Sequence, residues 1–536
     1  MSSKRPRDQD DGQSRPAPST RSTASTSNPN ETHVDMVKCP ICRVFVASNN
    51  INSHLDQEHF GDDGTPTILA TSNEPVQTPG TTTIADCGIR LLQVRDAEAW
   101  TNRACPGIRD ILSMNGRLRK MLQVNFMVEI DWLMKVVPQE SKHIPIYIVH
   151  GMRRSDVDTS RYPNAKAHAA YVPDAYGTHH TKMMILQFDD DTLRIVISSA
   201  NLIEQDWKNK CQAAWISPPL KRKPASFSES QFEKDLVAYM KFETYRGLLD
   251  EWATLLSEYD CSPCRVVIVA SVPGRHQKQD LHKWGLTRMA QVLQNVRCEG
   301  QGTLIAQYSS MGSLGKSDEW LAKVFFKAFA QSSARKDGIL SNNTLGEMPD
   351  LKMVYPTIHE VVDSLEGISA GGSLRLSEKN WSAQERYLRP LLHKWVSHTQ
   401  GRDGAMPHIK TYTRLNALGT VAWLFVTSHN VSKAAWGDLQ KNKSQLYMRS
   451  YELGVLCYPD LFTDHEGVKA SMVNVSPRNI PNEIGLFPTA PFSLDNALSN
   501  NNQIQSHSIS VPIRLPYDVP LTRYAKHDVA WHIPDC

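Results

Sequence analysis

A repeated set of chemically matched residues constrains this chain more than any other feature. His180-Thr181-Lys182 is followed by Ser199-Ala200-Asn201 and Trp207, and His408-Ile409-Lys410 by Ser428-His429-Asn430 and Trp436. From His to Asn is 21 residues in the first set and 22 in the second, and from Asn to Trp is six in both. Four matched positions in matched order, 228 residues apart, mark an internal repeat, so the fold must be two like halves. Between His and Asn the apolar run 182–188, the turn Asp189-Asp190-Asp191 and the β-branched run 193–199 read as a β-hairpin, and 408–414, 416–420 and 421–428 repeat it. On a strand, His and Lys two apart share a face, and the Asn ending the paired strand comes within their reach.

These residue types suit phosphoryl transfer, in which negative charge spreads over the non-bridging oxygens of a crowded phosphorus and must be met by positioned donors. Two lysines and two asparagines supply such donors and remove the requirement for a catalytic Mg²⁺. One histidine attacks phosphorus while the other protonates the departing oxygen. An isolated His-x-Lys triplet is commonplace on exposed strands. Its duplication, with the same Asn and Trp following, marks Lys182, Lys410, Asn201, Asn430, His180 and His408 as one composite site.

The rest of the chain sets the context. Its 536 residues exceed one ordinary domain, and 40% apolar with 21% charged residues gives the bulk of a globular protein. The net charge of +3 neither requires nor opposes a nucleic-acid partner. No apolar run approaches the roughly 18 residues of a membrane span, and Ser-Ser-Lys-Arg-Pro-Arg after Met1 is no secretory leader. The expectation is a soluble, intracellular, monomeric protein without membrane association, its ten cysteines, most of them scattered, outside any disulfide framework. Residues 1–35, rich in Ser, Thr and Pro, read as a disordered tail in which Lys4-Arg5-Pro6-Arg7 is a short nuclear-import signal, and residues 61–86 read as a flexible linker.

Between these segments, residues 36–60 place Cys39 and Cys42 two residues apart, then His54 after eleven and His59 after four more. Two thiolates on a turn and two imidazoles one helical turn apart close a tetrahedral site, so this segment is expected to be a small ββα zinc finger folded by its metal. One finger reads at most about three base pairs. The wording Cys-Pro-Ile-Cys and Ile-Asn-x-His-Leu-Asp resembles the ubiquitin-binding zinc fingers of DNA-repair proteins, which implies that Asp56 touches ubiquitin. Both ubiquitin and DNA stand as partners of the finger.

The repeat itself resembles the phospholipase D superfamily. The segments YGTHHTKMM (176–184), SSANLIEQDW (198–207), YSSMGSLG (308–315), AMPHIKTY (405–412), SKAAWG (432–437), RSYELGVL (449–456) and YAKHDVAWHIP (524–534) look like the tyrosyl-DNA phosphodiesterase family within it. Where the superfamily has Asp after His-x-Lys, this chain has Asn201 and Asn430, as that branch does. The resemblance implies an α/β fold of two similar phospholipase D-like α/β/α domains, 87–272 and 273–536, related by pseudo-twofold symmetry about one active site. It implies a nuclear DNA-repair enzyme acting on single-stranded or nicked DNA whose 3′ end carries a topoisomerase I peptide.

By position in those motifs His180 is the nucleophile and His408 the acid and then base. Glu452 and Gln212 orient the histidines from the opposite halves, with Glu452 behind His180 and Gln212 behind His408, unless either merely satisfies a buried strand end. Tyr176 stacks on a base unless it is a core tyrosine, and Ser310, Ser313 and Ser432 bind backbone phosphates. Lys221-Arg222-Lys223 reads either as an electrostatic attractor of DNA or as a solvated loop. The competing functions are a phospholipase or nuclease of the same superfamily and a zinc-finger adaptor with an inert body, which the two intact His-Lys pairs oppose.

Overall fold

The computed structural model describes residues 36–38, 45–47, 82–152, 157–224, 227–340, 348–463, 468–492 and 508–534. Contacts divide the chain into a unit up to Thr78 and a unit from Pro79 onward. In the first, Met36–Lys38 and Phe45–Ala47 pair as an antiparallel hairpin. The four cysteine and histidine ligands expected there, Asp56 and the tail lie outside the described residues.

The larger unit is built on two sheets of the same design. The strands of the first are β1 (Ile89–Leu91), β2 (Leu118–Asn125), β3 (Ile146–His150), β4 (Ala165–Ala169), β5 (Met183–Phe188), β6 (Leu193–Ser198) and β7 (Ala213–Ile216). They lie in the order β1-β7-β6-β5-β2-β3-β4. The second has β8 (Val267–Ser271), β9 (Thr303–Gln307), β10 (Asp350–Val354), β11 (Leu392–His393), β12 (Thr411–Leu415), β13 (Val421–Thr427) and β14 (Glu452–Cys457). Its order is β8-β14-β13-β12-β9-β10-β11, and Lys469–Asn474, Ser508–Ile513 and Thr82–Ile84 extend the sheet in that order from β13. Each strand of the first sheet thus has a counterpart in the same place and with the same parallel or antiparallel partners. The β5–β6 and β12–β13 hairpins are those read from the sequence.

Alternation along the strands separates two cores. Met183, Ile185, Ile195 and Ile197 face a large core shared with Ile268, Leu304, Tyr412, Phe425 and Leu453 of the second sheet and with the helices Gln231–Met240 and Gly285–Leu293. Met184, Leu186 and Val196 face the other way, onto the helices Ile108–Ser113 and Ile130–Val136. Strands covered on both faces read as unbroken apolar runs, and every residue of β5, β6 and β13 is buried.

Two boundaries differ from the expected ones. Val267–Ser271 pairs with β14, so the second sheet begins before residue 273. Thr82–Ile84, expected within the linker, lies parallel to Ser508–Ser510 at the edge of the second sheet, and Ala85 behind it is fully buried. The linker signal there was the polar run Thr81-Thr82-Thr83, and β-branched threonines serve an edge strand equally well. The described cysteines are free thiols, and among the described residues no helix is long and apolar enough to cross a membrane.

Arg402, fully buried, ties the halves together: Nη1 donates to the Leu92 carbonyl at 3.0 Å and Nη2 to that of Thr101 at 3.1 Å. Arg402→Ala removes the arginine donor from the Leu92 carbonyl and one of two from the Thr101 carbonyl, which Arg514 Nη2 also reaches at 3.1 Å, and hydrogen bonds to a charged group are worth about 1.5–3 kcal/mol each. A fall in unfolding free energy of roughly 3 kcal/mol or more is expected in urea titration.

Candidate active site

The two triplets lie where the sheets meet. His180-Thr181-Lys182 and His408-Ile409-Lys410 are not inside strands but immediately before β5 and β12. Each is pinned to the opposite half by a backbone bond: His180 N–H donates to the Tyr451 carbonyl at 3.0 Å, and His408 N–H to that of Cys211 at 3.1 Å. Tyr451 and Cys211 directly precede Glu452 and Gln212, so the bonds that dock the histidines also present their partners. Gly177 permits this approach near His180, because a Cβ on it would sit 1.9 Å from the Arg449 carbonyl oxygen.

The partners fall as expected. Glu452 Oε2 lies 2.9 Å from His180 Nδ1, and Gln212 Nε2 lies 2.9 Å from His408 Nδ1. Serines support both in the same way: Ser428 Oγ donates to Glu452 Oε2 at 2.5 Å and Ser199 Oγ to Gln212 Oε1 at 2.6 Å. His180 Nδ1 is also 3.0 Å from the Ser428 carbonyl oxygen. A carbonyl only accepts, so Nδ1 carries the proton and Nε2 keeps its lone pair. The sequence reasoning missed Asp206, buried, with Oδ2 3.0 Å from His408 Nδ1 and 2.6 Å from the Asn201 N–H that it accepts from. The neutral glutamine is therefore not the whole setting of His408. No signal marked Asp206, because the aligned position in the second copy is Ala435.

The cations and amides complete the set. Lys182 and Lys410 are fully buried, each Nζ donating to the carbonyl of its own histidine. Asn430 Oδ1 accepts from Ser309 N–H at 3.2 Å and Ser310 N–H at 2.9 Å, which turns its NH₂ away from them. Asn201 Oδ1 is buried with no protein partner. Trp207 Nε1 donates to the Asn201 carbonyl, and Trp436 is core.

Tyr176 is 82% exposed, which excludes the core reading, and the Arg449 guanidinium lies 6.0 Å from its ring. Ser432 Oγ caps the helix Lys433–Trp436 by accepting from Ala435 N–H, leaving its O–H to donate. Ser313 is exposed. Ser310 places its N–H on Asn430 and its O–H on the Arg375 carbonyl, so its evident task is to hold Asn430. Of the basic triplet, Arg222 pairs with Asp191 and Glu258, and Lys223 with Glu233, which leaves little charge to attract DNA.

Burial dominates the electrostatics. It pulls Lys182 down to about 8 and Lys410, which also feels Lys182, well below its usual value. His408 falls to about 3 because burial and Lys410 outweigh Asp206, and burial lowers His180 against the pull of Glu452. Burial raises the carboxylates, yet His408 and the Asn201 N–H hold Asp206 near 2, and His180, His429 and Ser428 keep Glu452 low. The site thus has two carboxylates, two neutral imidazoles and destabilised ammonium groups, a setting that favours an anion.

The chain matches known proteins over most of its length. The model of the tyrosyl-DNA phosphodiesterase family matches residues 88–525. The chain belongs to the tyrosyl-DNA phosphodiesterase family. Among its relatives, tyrosyl-DNA phosphodiesterase 1 of Arabidopsis thaliana is 32% identical over 460 residues, 82% of this chain and 73% of that one. Tyrosyl-DNA phosphodiesterase 1 of Drosophila melanogaster is 33% identical over 432 residues, covering 77% and 67%. The crystal structure of the yeast tyrosyl-DNA phosphodiesterase superimposes with a TM-score of 0.61 over 83% of this chain and 99% of that one at 18% identity, a likeness of fold. The phospholipase D-like architecture of this family is what the paired sheets express.

Since Lys182 is charged only below about 8, affinity for an anionic phosphodiester should be fully present below that pH and fall as pH rises through it. The limit is about tenfold per pH unit for each proton required. Titrating His180→Ala protein with a labelled phosphotyrosyl oligonucleotide from pH 6 to 10 checks this; a flat dissociation constant would contradict it.

Proposed function

We propose that this protein is a DNA-repair hydrolase that cleaves the phosphodiester bond between a tyrosine and the 3′ end of DNA, as left by a stalled type I topoisomerase, through a covalent phosphohistidine. The supporting observation is the unlike setting of the two histidines. His180 Nδ1 faces two acceptors, Glu452 and the Ser428 carbonyl, so its Nε2 lone pair is permanently available for attack. His180 Nε2 bonds to phosphorus, the phosphorus–oxygen bond to tyrosine breaks, and the phenolic oxygen takes a proton from His408. Glu452 balances the positive charge that the phosphorylated ring acquires. Water then gives its proton to His408 as it attacks phosphorus, the phosphorus–nitrogen bond breaks, and a 3′-phosphate is released.

Lys182, Lys410 and the amides of Asn201 and Asn430 meet the charge on the phosphate oxygens, so the reaction requires no divalent metal. The bound phosphate in turn offsets the field of the lysines and raises His408 to where it can hold a proton. Tyr176 beside Arg449 offers a stacking face for a base, worth about 1–3 kcal/mol and indifferent to sequence. An exposed aromatic paired with a guanidinium favours a nucleic-acid substrate over a lipid.

The reading extends to the amino-terminal segment and to the cell. Cys39, Cys42, His54 and His59 would hold a structural zinc, a donor set of two thiolates and two imidazoles that suits that metal, and Asp56 would contact ubiquitin. Lys4-Arg5-Pro6-Arg7 supports a nuclear site of action, and the protein would act as a monomer. Full activity in EDTA is expected. Cys39→Ser with Cys42→Ser should lose one zinc per chain by elemental analysis and leave cleavage of a short oligonucleotide unchanged.

The deciding experiment is a denaturing gel of labelled 3′-phosphotyrosyl oligonucleotide. His408→Ala should accumulate a DNA-linked protein band, because tyrosine leaves without full protonation whereas water needs a base. His180→Ala should form no adduct and lose roughly three orders of magnitude or more in rate. An adduct formed by His180→Ala would overturn the assignment.

A further inference from the structure

The duplication makes Asp206 conspicuous. Glu452 and Gln212, at or just before the start of a strand, face the histidine of the opposite half, and on the short helix after Asn, Asp206 also faces His408, while the position aligned with it in the second half is Ala435. Each histidine receives one carboxylate, from non-equivalent places. The sites differ at Nδ1. His180 meets acceptors only, while His408 meets a donor, Gln212 Nε2 at 2.9 Å, and an acceptor, Asp206 Oδ2 at 3.0 Å.

Resting on the phosphohistidine reading above, we infer that Asp206 is a positioning residue that fits His408 to give and take a proton at Nε2, and that its weight falls on hydrolysis of the covalent intermediate. In both states the reaction needs, the charged acid and the neutral base with its lone pair at Nε2, Nδ1 carries hydrogen and the Asp206 carboxylate accepts it, whereas the Gln212 amide donates to Nδ1 only in the opposite tautomer, which has no lone pair for the proton of water. His408 passes between these states as acid and then as base. Water is the harder reactant, and it needs the basicity that a carboxylate behind an imidazole confers. The charged groups acting on His408 are Asp206, Lys410 and Lys182; only Asp206 favours its protonation. A further bond, from Asn201 N–H to Asp206 Oδ2, ties the same carboxylate to the phosphate-binding amide, so structure and chemistry must be separated by experiment.

Asp206→Asn keeps an oxygen for Asn201 and removes the charge. In single-turnover assays on phosphotyrosyl oligonucleotide it should form the adduct within about twofold of the parent rate but hydrolyse it at least about tenfold more slowly. The acid limb of the hydrolysis step should move to lower pH, since loss of the carboxylate makes His408 less basic. Adding Gln212→Glu should restore hydrolysis and the limb, because Ser199 already stands behind residue 212 as Ser428 stands behind Glu452. Unchanged hydrolysis, or equal loss in both steps without a moved limb or rescue, would overturn the inference and assign Asp206 to holding Asn201. Should Asp206→Asn melt early, Gln212→Glu alone reads the same point: a second carboxylate at Nδ1 should move the limb to higher pH, and an unmoved limb would count against the idea. Failure of the parent protein to form any adduct would instead sink the phosphohistidine reading.

Discussion

Two ammonium groups buried beside one another are the constraint on which the rest of this structure depends. Lys182 and Lys410 are closed off from solvent, and the field of Lys182 bears on Lys410. Isolated charges in such a place are costly, and the relief available is a partner of opposite sign. The protein supplies that only in part, through Glu452 and Asp206, which its own histidines engage. On the proposed function, the phosphate of the substrate would complete the balance between the lysines.

That arrangement explains why the halves are interlocked rather than merely adjacent. Neither histidine has its orienting partner in its own half, and the backbone bonds from His180 to Tyr451 and from His408 to Cys211 fix the distance across the seam. Arg402 and Gly177 act in the same sense, one by reaching across and the other by not filling space. A single half would carry a buried lysine, an unsupported imidazole and an open apolar sheet face. The continuous core built from Ile185, Phe425 and Leu453 removes all three defects together.

Much of this was legible because the chain repeats itself. The hairpins showed through their turns, and the His, Lys and Asn sets through matched spacing, so fold class, symmetry and the heart of the site could be read without coordinates. Glu452 came from the family resemblance, and its pairing with His180 from the chemistry of a carboxylate behind a nucleophilic imidazole. What escaped was whatever the two copies do not share. Asp206 has alanine at the aligned position, so comparing the halves hid it, and only proximity across the seam reveals its contact with His408. Thr82–Ile84 escaped for another reason: a polar edge strand carries no apolar alternation, and its partner is 426 residues away. Ser310 illustrates a third limit, since a motif shows that a serine is needed but not whether its donors face substrate or protein.

The placement of Thr82–Ile84 bears on how the chain is finished during synthesis. Every strand of the first sheet finds its neighbours within residues 89–216, so that sheet can form soon after it leaves the ribosome. The strand just before it cannot, because its partner Ser508–Ser510 is made 426 residues later. At about 5–20 residues per second the wait is roughly 20–85 s. Through that interval an early-made segment stays unpaired while the sheet it will join is still being assembled, so the body closes at an edge where nearly the first and nearly the last of its residues meet.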